Sequence, residues 1–503
     1  MPHSLDGATA SALWLSAPIA LPLATGAAYG VARRHAPTPW LSLVSPAAIL
    51  ACAIVLLQGV RGGAAVTAYG GVLRADALTV WMLLVVGAVA AIACAASPAY
   101  LAHERAAGHA TEGAACLYHV LVHAFLAAMS LAVLAANLGV LWVAIEATTI
   151  VTAFLVGHRR TRASVEAAWK YVVICSAGIA LAFLGIVLLY YAARAAGIPE
   201  AFALDWPTLV AHADRMDPAV TRLATALIVL GFGAKAGLVP LHAWLPDAHS
   251  QAPAPVSALM SGVLLAVSFA AVLRIKVIAD GALGPGYTQT LLALAALLTL
   301  AWSAALLLGQ SDYKRMLAYS SMEHMSLIAL GAAIGTPLAL AAVLLHIAGH
   351  GLAKSVAFCS SGHILHLRHT TRIGRVRGLL ARAPSLGAAF GLAVVALLGF
   401  PPFSLFASEL GIARAGFAAG LGWLTALALL LVLTAFAALA LRTARMVLGP
   451  PPLTPGTPAV PVRLGLAAGL PLATGLLACA ALGVSLGPLT DLVTAATTIL
   501  GGH

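Results

Sequence analysis

The chain has 503 residues, 62% of them hydrophobic and 9% charged, with a formal net charge of +11 and a mean hydropathy of +1.00. No water-soluble core of this length needs so much apolar surface, and the basic residues gather in short connections between apolar runs, which excludes a soluble enzyme and a nucleic-acid-binding protein. What remains is an all-α polytopic membrane protein, because uncharged runs of spanning length recur where a barrel would show short alternating segments.

About fourteen such runs follow one another, near 9–31, 41–60, 76–97, 116–136, 138–157, 168–191, 220–240, 255–275, 289–309, 316–334, 337–362, 385–413, 420–447 and 463–486. The first has no Lys or Arg before it and reads as a retained helix rather than a signal peptide. Connections after odd-numbered runs carry most of the basic residues, among them Arg105, Arg159, Arg160, Arg372, Arg375 and Arg377. The positive-inside rule then places those connections in the cytoplasm and both termini outside, in a bacterial cytoplasmic membrane. Cys52, Cys94, Cys116, Cys175, Cys359 and Cys479 lie in or beside apolar runs without CxxC spacing, so no iron–sulfur or zinc site and no cofactor is expected.

Ionisable residues inside the runs carry the functional signal, since a central lysine costs about 2.5–3.5 kcal/mol to insert. On the fifth run Glu146 stands alone among apolar and hydroxyl residues and needs an opposite charge or a proton. Lys170 and Glu166, four apart, open the sixth run as a surface helix pair, with a relay role for Lys170 as the second reading. In the seventh run Lys235 is flanked by Gly231, Gly233, Gly237 and Pro240, so a charge sits where a helix breaks, and Lys235 is the natural partner for Glu146. His242 just beyond it, and Ser261 and Ser268 in the eighth run, are further relay candidates.

The tenth run follows a turn, SDYKRM, whose Asp312, Lys314 and Arg315 read as an ordinary loop, and carries Glu323 deep in its helix beside His324. On the eleventh run His346, His350 and Lys354 recur every four residues along one helical stripe that could pass protons along water. Two histidines at that spacing could also hold zinc, but no third ligand is evident, and no metal is expected. His119 and His123 share the spacing and read as core histidines. The twelfth run is interrupted at GFPPFSLFASEL by Pro401 and Pro402 and carries Glu409. Two broken segments suggest an inverted repeat in which Glu146 matches Glu323 and Lys235 matches Glu409. GFGAKAG is no nucleotide loop, because no strand precedes it.

The stretches EAAWKYVVICSAGIALAFLG, GAKAGLVPLHAWLPDAHSQAPAPVSALMSG, YSSMEHMSLIALG and HGLAK resemble the antiporter-like subunits of respiratory complex I and related membrane hydrogenases, YSSMEHM in particular the hydrogenase-4 component F branch. The resemblance implies fourteen helices, two inverted five-helix repeats with broken seventh and twelfth helices, and proton translocation driven by a neighbouring redox module of the nickel–iron hydrogenase or NADH dehydrogenase type. It implies N-terminal helices over 1–115, repeats over 116–275 and 276–447, and a last helix and tail over 448–503. Its charged axis falls on Glu146, Lys235, Lys354 and Glu409, with other membrane subunits as partners and the proton, or sodium, as the ion. Many relatives carry a Lys or His on the eighth helix, where this chain has Ala266. The alternatives are a subunit of a sodium/proton antiporter and a non-conducting membrane partner of an inorganic-carbon uptake complex.

Overall fold

The computed structural model describes residues 2–31, 39–450 and 462–501. Its helices of eight residues or more are, in chain order, α1 (Pro2–Val31), α2 (Val44–Gly59), α3 (Ala77–Ala106), α4 (Glu112–Leu134), α5 (Leu138–Val156), α6 (Arg162–Ala195), α7 (Pro218–Lys235) and α8 (Trp244–Gln251). There follow α9 (Ala254–Leu283, with a π turn over Met260–Leu264), α10 (Pro285–Leu308), α11 (Tyr313–Ile334), α12 (Pro337–Arg368) and α13 (Pro384–Leu397). The last are α14 (Ser404–Ala418), α15 (Gly422–Val447), α16 (Leu466–Val484) and α17 (Thr490–Ile499). A two-stranded antiparallel hairpin, Val66–Ala68 with Leu73–Ala75, joins α2 to α3.

Among the described residues 12 helices are long and apolar enough to cross a membrane. α11 falls outside that group because Lys314, Arg315, Glu323 and His324 lower its hydropathy, yet it is buried along nearly its whole length. Protein rather than lipid surrounds it, which is the condition under which such a sequence is tolerated at membrane depth. Side chains from Asn137, Thr161, Asp217, Asp312 and Thr336 accept the first free amides of α5, α6, α7, α11 and α12, so these starts follow ordinary capping chemistry.

Two expected spans break more sharply than their hydropathy suggests. The seventh ends at Lys235, well short of residue 240, and resumes as the short α8; the twelfth splits into α13 and α14 and runs on to Ala418. Each break holds a Gly-x-x-Pro step, Gly237 to Pro240 and Gly399 to Pro402, whose glycine has positive φ of 82° and 66° respectively. Only glycine takes this conformation without a Cβ clash. A Cβ on Gly399 would lie 2.5 Å from the Glu409 carboxylate, which folds back onto the break.

The long helix α12 is the axis of the bundle, packed against α3, α9, α11, α13, α14 and α16. Small residues let backbones meet: a methyl group on Gly351 would lie 2.8 Å from the Gly262 carbonyl of α9, and one on Gly178 would lie 3.2 Å from the Gly231 carbonyl of α7. Two ionic clamps tie chain-distant segments. Arg274 grips Asp76 with two bonds of 2.6 and 2.7 Å and lies 4.4 Å from the Trp206 ring. Burial of Asp76 favours its neutral form, but Arg274, the Thr79 amide and Arg74 hold its pKa down at about 2. The second clamp gathers Arg159 and His366 on Glu104, with the Arg159 Nη2 at 2.5 Å and His366 at 2.9 Å.

Candidate functional site

The first cluster forms where α5, α6 and α7 meet. Lys235 is the last residue of α7, fully buried, and its ammonium donates to the Thr149 hydroxyl and, at 3.4 Å, to the Ile145 carbonyl. Thr149 in turn donates to Glu146 at 3.0 Å, and Ser176 of α6 donates to the other Glu146 oxygen at 3.2 Å. The direct Glu146–Lys235 pair expected from sequence is therefore replaced by a hydroxyl bridge, since no ion pair within 4.0 Å joins them among the described residues. The two charged groups lie on α5 and α7, both packed against α6, and Thr149, one turn along α5 from Glu146, fills the gap between them. The Tyr171 ring lies 5.4 Å from the ammonium and its hydroxyl bonds Thr152 at 2.5 Å, completing an inner wall. On the outer side a groove of about 580 Å³ runs between α4, α5 and α6, with Thr149, Ser176, His158, Arg160 and Trp169 among its lining. The two hydroxyls that hold Glu146, those of Thr149 and Ser176, thus belong to residues that line this groove.

The second cluster is built on α11, α12 and α14. Lys354, fully buried, donates to the Leu317 carbonyl at 2.8 Å. Ser321 donates to the same carbonyl at 3.0 Å and bonds Ser261 of the π turn at 2.7 Å, so Ser261 is linked to Lys354 through Ser321 and the Leu317 carbonyl. π turns concentrate at functional sites, and this one stands beside the position held by Ala266. Glu323, next along α11, makes no hydrogen bond through its carboxylate to a described residue and interacts electrostatically with Lys354 and Glu409.

Beyond Lys354 the imidazoles of His350, His324 and His346 follow, the His324 ring 5.1 Å from that of His350 and 5.2 Å from that of His346. His346 Nδ1 lies 2.9 Å from Ser408 Oγ, and Ser408 donates its own proton to the Leu405 carbonyl at 3.0 Å. Read from this network, His346 carries its proton on Nδ1 and offers a lone pair at Nε2. His324 Nδ1, 3.1 Å away, is then the donor, and His324 Nε2, buried without a partner, carries a bare lone pair. His324, His346 and Glu409 bring their ligand atoms within 4.8 Å of one another. Of the α12 pair only His346 takes part, and the other two ligand atoms come from α11 and α14.

Between the clusters stand Trp244, whose indole donates to the Ala234 carbonyl at 2.9 Å, and His249 of α8, fully buried with both ring nitrogens unpartnered. His249 stacks 5.2 Å from Phe358 and interacts electrostatically with Lys354 and Lys314. Lys314 is itself buried, donating to the Ala252 carbonyl at 2.8 Å, not exposed in a turn, because the first turn of α11 tucks under the link between α8 and α9.

The remaining expected residues stay outside this row. Lys170 is largely exposed and paired to Glu166 at 2.7 Å and Asp247 at 3.0 Å, with Arg315 on the same Asp247 at 2.7 Å. This surface cluster brackets α6, α8 and α11 and gives Lys170 no buried partner. His242 lies in the break after α7, edge-on to Trp302 at 5.7 Å. Ser268 is buried with its hydroxyl unpartnered. His123 bonds Ser45 at 2.9 Å, and His119 stacks on Tyr29 at 4.2 Å, as core histidines do. Measured from the break glycines, Lys235 precedes its glycine whereas Glu409 follows, so the register match between them does not hold. Both are nevertheless gathered at a break.

Sequence reasoning missed Thr149, His249 and His324 as site residues. Only His324 left a trace, as the neighbour of Glu323.

A family model described as NADH:quinone oxidoreductase/Mrp antiporter, transmembrane, matches residues 135–435, which contain every residue of both clusters. The chain is 37% identical over 385 residues to the hydrogenase-4 component F homolog of Methylacidiphilum infernorum, covering 76% of this chain and 80% of that protein. Its fold is similar to a chain of the membrane-bound sulfane sulfur reductase, an archaeal respiratory membrane complex, with a TM-score of 0.84 at 24% identity over 98% of this chain and 97% of the other. A chain of the Mrp complex from Dietzia sp. DQ12-45-1b gives 0.82 at 23% identity, covering 97% of each.

Proposed function

The chain belongs to the NADH:quinone oxidoreductase/Mrp antiporter transmembrane family, and from that premise we propose that it is a proton-translocating, antiporter-like membrane subunit of a hydrogenase-type or complex I-type assembly. The 37% identity to a hydrogenase-4 component F homolog favours this over a sodium/proton antiporter subunit, since the chain of the Mrp complex is only 23% identical. A peripheral redox module supplies the driving energy, other membrane subunits flank the chain, and the bilayer is that of a bacterial cytoplasmic membrane with both termini outside.

The observation that carries the reading is the hydroxyl-bridged pair Glu146–Thr149–Lys235 beside a broken helix, followed by a buried imidazole row ending at Glu409. A charge change arriving at Glu146 from its outer groove alters the attraction on Lys235, and Thr149 can accept from one side while donating to the other. A shifted Lys235 acts in turn on the buried pair His249 and Lys354, which interact electrostatically with each other. Lys354 and Glu323 then drive a proton across His350, His324 and His346 to Glu409, with Ser321, itself bonded to Ser261, donating to the Leu317 carbonyl that holds Lys354. The two Gly-x-x-Pro breaks support two repeats, over 116–275 and 276–447, flanked by 1–115 and 448–503.

Replacing Lys235 with Met in the assembled complex, reconstituted in vesicles, is expected to abolish proton uptake while leaving redox turnover measurable. Wild-type uptake by an intact Lys235→Met complex would remove the mechanism.

A further inference from the structure

The second cluster holds a donor set that proton transfer alone does not require. His324 Nδ1 and His346 Nε2 stand 3.1 Å apart, and a Glu409 oxygen completes a triangle whose sides are all within 4.8 Å. Ligand atoms around a tetrahedral zinc with bonds of about 2.0–2.1 Å are separated by about 3.3 Å, so closing this triangle on an ion takes only a small movement of Glu409.

The supporting shell is also present. His346 is oriented through Nδ1 by Ser408, which leaves Nε2 pointing at the other two donors, the arrangement that fixes metal-bound imidazoles. His324 can free Nδ1 by moving its proton to Nε2, and that nitrogen is buried without a partner, so only the one His324–His346 bond is given up. His350, one turn along α12 from His346, is fully buried with both ring nitrogens unpartnered and is the side chain next to the triangle able to supply a fourth donor. The charge is close to balanced: Glu409 and Glu323 face the position, against Lys354 on the far side of His350.

We propose that His324, His346 and Glu409 form a binding site for a borderline divalent ion of the zinc type. Two imidazoles and one carboxylate select against magnesium, calcium and sodium, which prefer all-oxygen shells. An ion held there occupies the lone pairs of His324 and His346 and neutralises Glu409, so bound zinc blocks the row at its outer end. That last consequence rests on the proton path proposed above; the site itself does not.

The test uses the full chain in detergent, stripped with a chelator and titrated with Co²⁺ as a spectroscopic probe and then Zn²⁺. The expected result is one ion per chain with the visible bands of a four-coordinate site, and at least tenfold weaker Zn²⁺ binding in His346→Gln and Glu409→Gln but not in His123→Gln. Binding that is absent, or unchanged in both of the first two variants, overturns the proposal. X-ray absorption of the zinc-loaded wild-type chain covers the case of variants that do not fold: a shell containing imidazole supports the site, and one without imidazole overturns it. Zinc that binds at this site yet leaves proton uptake unaffected counts against the proton path through His346, while the site stands.

Discussion

In the first half of the row, Glu146 and Lys235 share one threonine hydroxyl at the edge of the bundle, and the acid lies beside an open groove. In the second half, Lys354 is followed by three fully buried imidazoles and an acid at a helix break. The contrast assigns different physics to each. Two opposite charges about 4 Å apart attract by about 4 kcal/mol at an effective dielectric near 20, so a separation tuned by a hydroxyl is sensitive to small shifts of either partner. A chain of neutral imidazoles instead moves a proton by tautomer exchange and needs lone pairs and N–H groups facing alternately, which the Ser408–His346–His324 order provides. The first region suits sensing charge and the second suits carrying it.

The largest expected effect is at Lys354. Lys354→Met removes the ammonium on the Leu317 carbonyl and the cation facing Glu323, and proton uptake by reconstituted vesicles is expected to fall by about 100-fold with assembly unchanged on a native gel. If the second half is the wire, His346→Gln should slow uptake by about tenfold, because the amide cannot exchange tautomers, while leaving redox turnover nearer wild type. An unaltered rate in that variant would make the imidazoles structural.

Two smaller effects probe the scaffold under each half. Gly237→Ala forces a Cβ into a left-handed conformation at the first break and against Leu245, and should lower thermal stability by about 1–2 kcal/mol. The Asp76–Arg274 clamp, by contrast, should show itself only in acid. The folded pKa of Asp76, about 2, lies below the ordinary aspartate value of 3.8, so the clamp's contribution, on the order of 2 kcal/mol, is complete above pH 4 and is lost as pH falls through 2. Asp76→Asn should remove that part of the acid sensitivity in a melting series.

How much of this was legible in the sequence follows the same division. Apolar runs of spanning length and Gly/Pro interruptions are local signals, so the polytopic helical class and the two breaks could be read directly. Glu146, Lys235, Lys354 and Glu409 were visible because a charge in an apolar run is expensive wherever it lies. Their partners were not. Thr149 is one of several hydroxyls on α5, and only the packing of α7 against α6 through Gly178 and Gly231 brings Lys235 to it. His324 and Glu409 meet because Glu409 folds back onto Gly399, and Asp76 and Arg274 meet across 198 residues; no periodicity encodes either contact. Lys314 looked like a turn residue because its burial depends on the link between α8 and α9 above it.

The hydroxyl between Glu146 and Lys235 is the element on which the coupling depends, and it can be removed with little change in shape. Proton uptake per redox turnover should therefore be compared in intact complexes carrying Thr149→Ser and Thr149→Val. The serine variant should couple near the wild-type level and the valine variant should lose coupling; full coupling with valine would show that the hydroxyl bridge is not needed.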